Sequence, residues 1–186
     1  MEADWEFEVG GDAPVIDAAW PGFVDLRLAP GRAWSLPEVS ELQALAAALE
    51  RLNAASSPGW TAKCDFWPDL EPGAVDADEL DAPSRESARA MGCYIDLLPK
   101  TDRQWALPPQ AAAICKDICV RLHAVSLRSC RVDLVIRQAV LSAEQEDMGI
   151  TAYITACGAS AQDAKLVLEA ALAAFADAFL APSTLQ

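Results

Sequence analysis

Apolar and polar residues alternate with a period of two in several stretches of this chain, and apolar residues recur at helical spacing in others. "WEFEV" sets Trp5, Phe7 and Val9 against Glu6 and Glu8, which predicts an edge or exposed strand. "GFVDLRL" sets Val24, Leu26 and Leu28 against Phe23, Asp25 and Arg27. "WTAKCDFW" turns Ala62, Cys64 and Phe66 one way and Lys63, Asp65 and Trp67 the other. "CYIDLL" (Cys93 to Leu98), "CRVDLVIRQAV" (Cys130 to Val140) and "ITAYITAC" (Ile150 to Cys157) read as further strands, with "SAEQEDMG" as a loop between the last two.

Helical spacing is clearest in "SLPEVSELQALAAALERLN", where Val39, Leu42, Leu45, Leu49 and Leu52 form one stripe. Ser35 and Glu38 have the spacing of a capping box, with Pro37 in the first turn. A second helix follows "LPP", with Ile114, Ile118, Leu122 and Val125 as its stripe. A third, Ala-rich helix starts near Ser160 and carries Val167, Leu168, Ala171, Phe175 and Phe179 on its core side.

The predicted order is an N-terminal strand, then β-α-β-β-α-β-β-α. This is an α+β fold in which β-α-β-β-α-β is the ferredoxin-like pattern, extended by a C-terminal strand and helix. The expectation is one domain over residues 1–186, with a strand or arm over 1–21 and an acidic loop over 68–90. Its antiparallel sheet has about five strands, helices cover one face, and the other face is open. Val24, Leu26, Leu45, Leu49, Ile95, Leu97, Ile118, Leu122, Val132, Leu134, Ile136, Leu168 and Phe175 are the expected core.

Composition narrows the picture. With 186 residues, 53% hydrophobic and 23% charged, the chain is long and apolar enough to bury a core. Its start is acidic, with neither a basic region nor an apolar run, and no later stretch has the length of a membrane span. A cytoplasmic protein is the expectation. Six cysteines without a CxxC pair then read as free thiols, and no cofactor is expected. The net charge of -14 sets the chain against nucleic acid and anionic membranes. Positive charge is concentrated in residues 116–137, where Lys116, Arg121, Arg128, Arg131 and Arg137 outnumber Asp117 and Asp133.

Candidate chemistry lies on the open face. In a ferredoxin-like order, Asp25 and Arg27 stand beside Arg131, Asp133 and Arg137, with Asp96 one strand away. Trp67, Tyr94, Phe23 and Tyr153 point the same way. Arginine mixed with aromatics is typical of contact surfaces, so the expected function is a non-enzymatic binding or interaction module. Its partner would be a basic protein or a small anionic ligand gripped by the arginines. The plainer reading is a salt-bridge ladder on a solvated or covered face.

Two other constellations compete. Asp25 and Asp96 on adjacent strands would suit two metal ions and phosphoryl transfer, an analogy at the level of fold alone. Cys115, Cys119 and His123 stand at i, i+4 and i+8, a possible metal set on one helix face that drifts too far around the helix to converge well. The acidic loop, "DLEPGAVDADELDAPSRE", lacks the Gly and the bidentate Glu of a calcium loop. It reads as a solvated loop or a docking arm for a basic protein.

Overall fold

The computed structural model describes residues 1–8, 14–17, 21–70, 75, 80, 89–100, 105–142 and 145–182, apart from the side chains of Ile16, Ser142, Gln145 and Glu146. In chain order the elements are β1 (Glu2–Phe7), β2 (Val15–Ile16), α1 (Gln43–Leu52), β3 (Gly59–Trp67), β4 (Arg89–Pro99), α2 (Pro108–His123), β5 (Cys130–Ser142), β6 (Gln145–Gly158) and α3 (Ala161–Leu180). Most of the acidic loop, over 71–74, 76–79 and 81–88, lies outside the described residues.

Val132, Leu134 and Ile136 are fully buried, while Arg131, Asp133 and Arg137, on the opposite face, are not. Alternation of this kind gives β5 one core face and one polar face. The same rule applies to β4, where Cys93, Ile95 and Leu97 are buried against Tyr94 and Asp96, and to β6, where Ile150, Ala152 and Ile154 are buried. The sheet order is β1-β5-β6-β4-β3, with β2 beside β5 as well. Because β6 occupies the other side of β5, β1 and β2 lie end to end along the same edge.

The fold is therefore α+β, but the sheet is mixed and its order is not ferredoxin-like. β1 and β2 run parallel to β5, while β3, β4, β6 and β5 pair antiparallel. The stretch "GFVDLRL" is not a strand. Gly22 turns the chain at φ 90°, and the Asp25 carboxylate accepts the backbone N–H of Arg27 at 2.9 Å. That local ring competes with an extended backbone. Its apolar positions are unequal, since Leu26 is buried and Leu28 is 86% exposed. The edge place falls to β1, whose alternation is complete.

The first helix starts later than its capping-box spacing suggests. Leu36, held extended at φ -73° and ψ 140° before Pro37, separates two 3-10 turns, Pro30–Ser35 and Pro37–Val39. A residue before proline is disfavoured in the helical region. The Ser35 hydroxyl donates to the Arg32 carbonyl instead of capping, and α1 begins at Gln43. α3 starts where expected, with the Ser160 hydroxyl oxygen accepting the Asp163 N–H at 3.1 Å.

All three helices pack on one sheet face, α3 in the middle over β6 and β4, α1 on its β3 side and α2 on its β1 side. Every expected core residue is buried except Val24, which is half-buried. Small residues bring α3 close: Ala152 and Ala156 of β6 and Ala164, Ala171 and Ala176 of α3 are all buried. The tightest point is Gly158, where a Cβ would stand 2.3 Å from the Ala164 backbone nitrogen. Arg121 of α2 ties down the far end of the same helix. Its guanidinium donates to the carbonyls of Ala178 (2.7 Å), Ala181 (3.0 Å) and Pro182 (2.5 Å) and to the Asp117 carboxylate (2.6 Å). No helix among the described residues is long and apolar enough to cross a membrane.

Candidate functional site

The sheet face opposite the helices is divided. One end carries a small second core of Val15, Trp60, Ala62, Leu98 and Ala139. Ala62 joins it, against expectation, because the β3–β4 register slips between Thr61 and Lys63. Val15 reaches this end by settling on Gly149, where any Cβ would meet its side chain at 2.7 Å. Arg27 lies 4.0 Å above the Trp60 ring and is held there by Asp25 (2.8 Å) and Asp17 (3.1 Å). The Arg27 hydrogen bond holds the Asp25 carboxyl below its ordinary range. Residues 14–17 and 25–27 thus form a strap over the Trp60 end.

The other end is where the strand registers bring the polar positions together. One row crosses all five strand positions: Asp4 of β1 faces Asp133 of β5, Asp133 faces Tyr153 of β6, Tyr153 faces Tyr94 of β4, and Tyr94 faces Asp65 of β3. Trp67 completes an aromatic triangle, with ring centroids 5.5 Å from Tyr94 and 6.5 Å from Tyr153, and the two tyrosines 6.0 Å apart. All three rings are half-buried. Gly92, opposite Trp67, makes room, since a Cβ there would already touch Leu70 and the indole.

A hydrogen-bonded chain runs beside the rings. Arg137 pairs with Glu8 of the N-terminal segment and donates to Thr151 Oγ1 and Tyr153 Oη, both at 3.1 Å. The Thr151 hydroxyl, on a fully buried residue, in turn donates a hydrogen bond to the Asp96 carboxylate at 2.6 Å. Burial pushes the Asp96 carboxyl above its ordinary range, while Thr151, Arg137 and Lys63 pull it back. Lys63 lies 5.7 Å over Tyr94, and hydrogen bonding to that phenol raises its pKa. Arg131 closes on Asp133 of its own strand at 2.6 Å.

An upward-shifted carboxyl gives an expected result. The stability that Asp96 contributes is fully present below the unfolded value of 3.8 and is lost as pH rises through its folded pKa. Asp96→Asn keeps an acceptor for Thr151 without the buried charge. The variant should equal or exceed the parent in urea unfolding at pH 7, and the difference should shrink near pH 3.5. A less stable variant at pH 7 would mean that attraction to Arg137 and Lys63 outweighs burial.

The residues singled out from sequence are thus split. Asp96, Arg131, Asp133, Arg137, Trp67 and Tyr94 share the other end, over which none of the described helices or strands lies. Asp25 and Arg27 belong to the strap, and the charges acting on Asp96 are those of Arg137 and Lys63. Asp25 is on no strand beside Asp96, as the two-metal reading required. Phe23 lines a cavity of about 130 Å³ with Leu26, Leu36, Leu49 and Cys64, away from the other aromatics. Burial there pushes the Cys64 thiol up to about 12. On α2, Cys115 and Cys119 face the core and His123 is exposed. Burial raises both thiols, Cys119 to about 11, which disfavours the thiolate a metal needs. Among the described residues no group of three or more His, Cys, Asp or Glu is placed to hold a metal ion.

Sequence reasoning missed Glu8 and Thr151. A signal for Glu8 existed: the acids at positions 2, 4, 6 and 8 match Arg131 and Arg137 in one parallel register, Glu2 opposite Arg131 and Glu8 on Arg137. Set beside protein-family models, curated proteins and solved structures, the chain matches none.

Proposed function

We propose that this protein is a non-enzymatic binding module whose contact surface is the aromatic end of the open sheet face, which no described element covers. The observation that carries the reading is the gathering of Trp67, Tyr94 and Tyr153, from three neighbouring strands, on a part of the sheet that no described element covers. Half-exposed aromatics beside arginine supply large contact area at low entropic cost, and such residues dominate the centres of interfaces. A salt-bridge ladder alone explains the charges but gives no reason for the rings. The other aromatic on this face, Trp60, is sealed by Arg27 and the strap.

Site-directed photocrosslinking tests this. A photoreactive phenylalanine in place of Trp67 should join the protein to its partner in a lysate of the source cells. The same group in place of Val120, exposed on α2, should not. Crosslinks from position 120 and none from position 67 would move the contact surface to the helix layer.

A further inference from the structure

Resting on that reading, we infer that the aromatic end of the open face docks a basic protein, laying an arginine-rich segment of it along the row Asp4–Asp133–Tyr153–Tyr94–Asp65.

The choice between a cationic and an anionic partner follows from which charges on the face are already matched. Its bases among the described residues are Lys63, Arg131 and Arg137. Arg131 is closed on Asp133, Arg137 on Glu8, and Lys63 lies over Tyr94. An anion would have to displace one of the chain's own carboxylates or cross the acidic surroundings. The row of five contains three carboxylates and two phenols and no base. Like charges stand directly opposite at Asp4 and Asp133, an arrangement that is unfavourable until a cation comes between them. Arg131 pairs with Asp133 along its own strand and is itself part of the next row, opposite Glu2.

The rings agree with the charges. Aromatic faces attract cations, and the chain's own cations sit on two of the three: Lys63 over Tyr94, and Arg137 over Tyr153 at 5.6 Å. Trp67, the best cation acceptor of the three, has no cation over it among the described residues. Arginine fits better than lysine because its planar guanidinium stacks on a ring while its fork meets a carboxylate. Adjacent strands are about 4.8 Å apart, so the five-position row spans roughly 19 Å. That suits an extended segment of about six residues. The chain's net charge of -14 would speed the encounter with such a partner.

Peptide titration followed by amide chemical shifts tests the inference on the full chain. The probes are Ac-(Gly-Arg)4-NH2, its lysine and glutamate counterparts and the neutral Ac-(Gly-Ser)4-NH2. The arginine peptide should shift the amides around Trp67, Tyr94 and Tyr153, and bind at least about tenfold more tightly than the glutamate peptide. Trp67→Ala and Asp65→Asn, each checked for an unchanged fold by circular dichroism, should weaken it about threefold to fivefold. Tighter binding of the glutamate peptide at the same amides would overturn the basic partner but leave the binding face standing. If shifts from the arginine peptide map to α1, α2 or α3 and ignore both substitutions, attraction is only to net charge and the row is not a site. Failure of every probe to shift the face, together with no crosslink from position 67, would remove both proposals.

Discussion

Arg121→Ala should lose about 3 kcal/mol of stability, measured by urea unfolding at pH 7. Exposed ion pairs are worth at most about 1 kcal/mol, and Arg121 is a different case. Its side chain is 20% exposed, and that of its partner Asp117 only 10%. It also donates to three carbonyls, Ala178, Ala181 and Pro182, at the C-terminal end of α3. The Ala178 carbonyl, in the last turn, has no partner further along the helix and carries its negative dipole end, and those of Ala181 and Pro182 follow directly after it, so a cation there is doubly favourable. Removal takes the Arg121 charge away from a buried carboxylate and frees the end of the helix that fills the core. A lysine at 121 keeps the charge but cannot reach carboxylate and carbonyls together, so Arg121→Lys should recover less than half of the loss. In thermal unfolding the alanine variant should melt about 6–12 °C lower. A loss under 1 kcal/mol would show that α3 holds its place through apolar packing alone.

Gly158→Ala should cost at least as much. The added methyl would lie 2.3 Å from the Ala164 nitrogen and 2.7 Å from the Asp163 carbonyl carbon, which is backbone and cannot swing aside. Either β6 or the first turn of α3 must move, and that turn is fixed by its Ser160 cap and by Ala164 and Leu168 in the core. Overpacking of this kind costs about 1–3 kcal/mol where side chains yield, and more where backbone must. Gly31→Ala is the control, since its methyl would meet only a Glu50 oxygen at 3.7 Å, in ordinary contact. Equal stability of the two variants would mean that the β6–α3 junction adjusts freely.

What the sequence made legible follows from how local each signal is. The alternation in β4, β5 and β6 and the stripes of α1 and α3 are properties of single elements, and burial follows them closely, whereas in β3 the slip between Thr61 and Lys63 breaks it. Strand order is not local. "GFVDLRL" has a strand's alternation, yet the Asp25–Arg27 ring, closed within three residues, takes its backbone elsewhere. Once that stretch leaves the sheet, the edge of β5 is open to β1, and the ferredoxin-like order fails with it. The site suffered the same fate. Trp67, Tyr94, Asp96 and Arg137 were placed on one face by their own strands. Asp25 and Arg27 were assigned by topology and do not join them. Thr151 offered no signal, because a threonine between two charges is visible only when the strands carrying those charges are paired.

The parallel pairing of β1 with β5 also bears on the order of assembly. Glu8 and Arg137 are 129 positions apart, so this pair closes the longest loop described here and does so against a large entropic cost. β5, β6 and α3 are consecutive, with a hairpin and a short connection between them, and can form from local contacts. During synthesis β1 emerges well before β5 and must wait until its neighbour has followed. Until the two pair, β5 shows an unpaired row of backbone donors and acceptors along its length. The same edge is the one through which opening should begin in the finished protein, and through which a strand from another molecule can add when β1 is displaced.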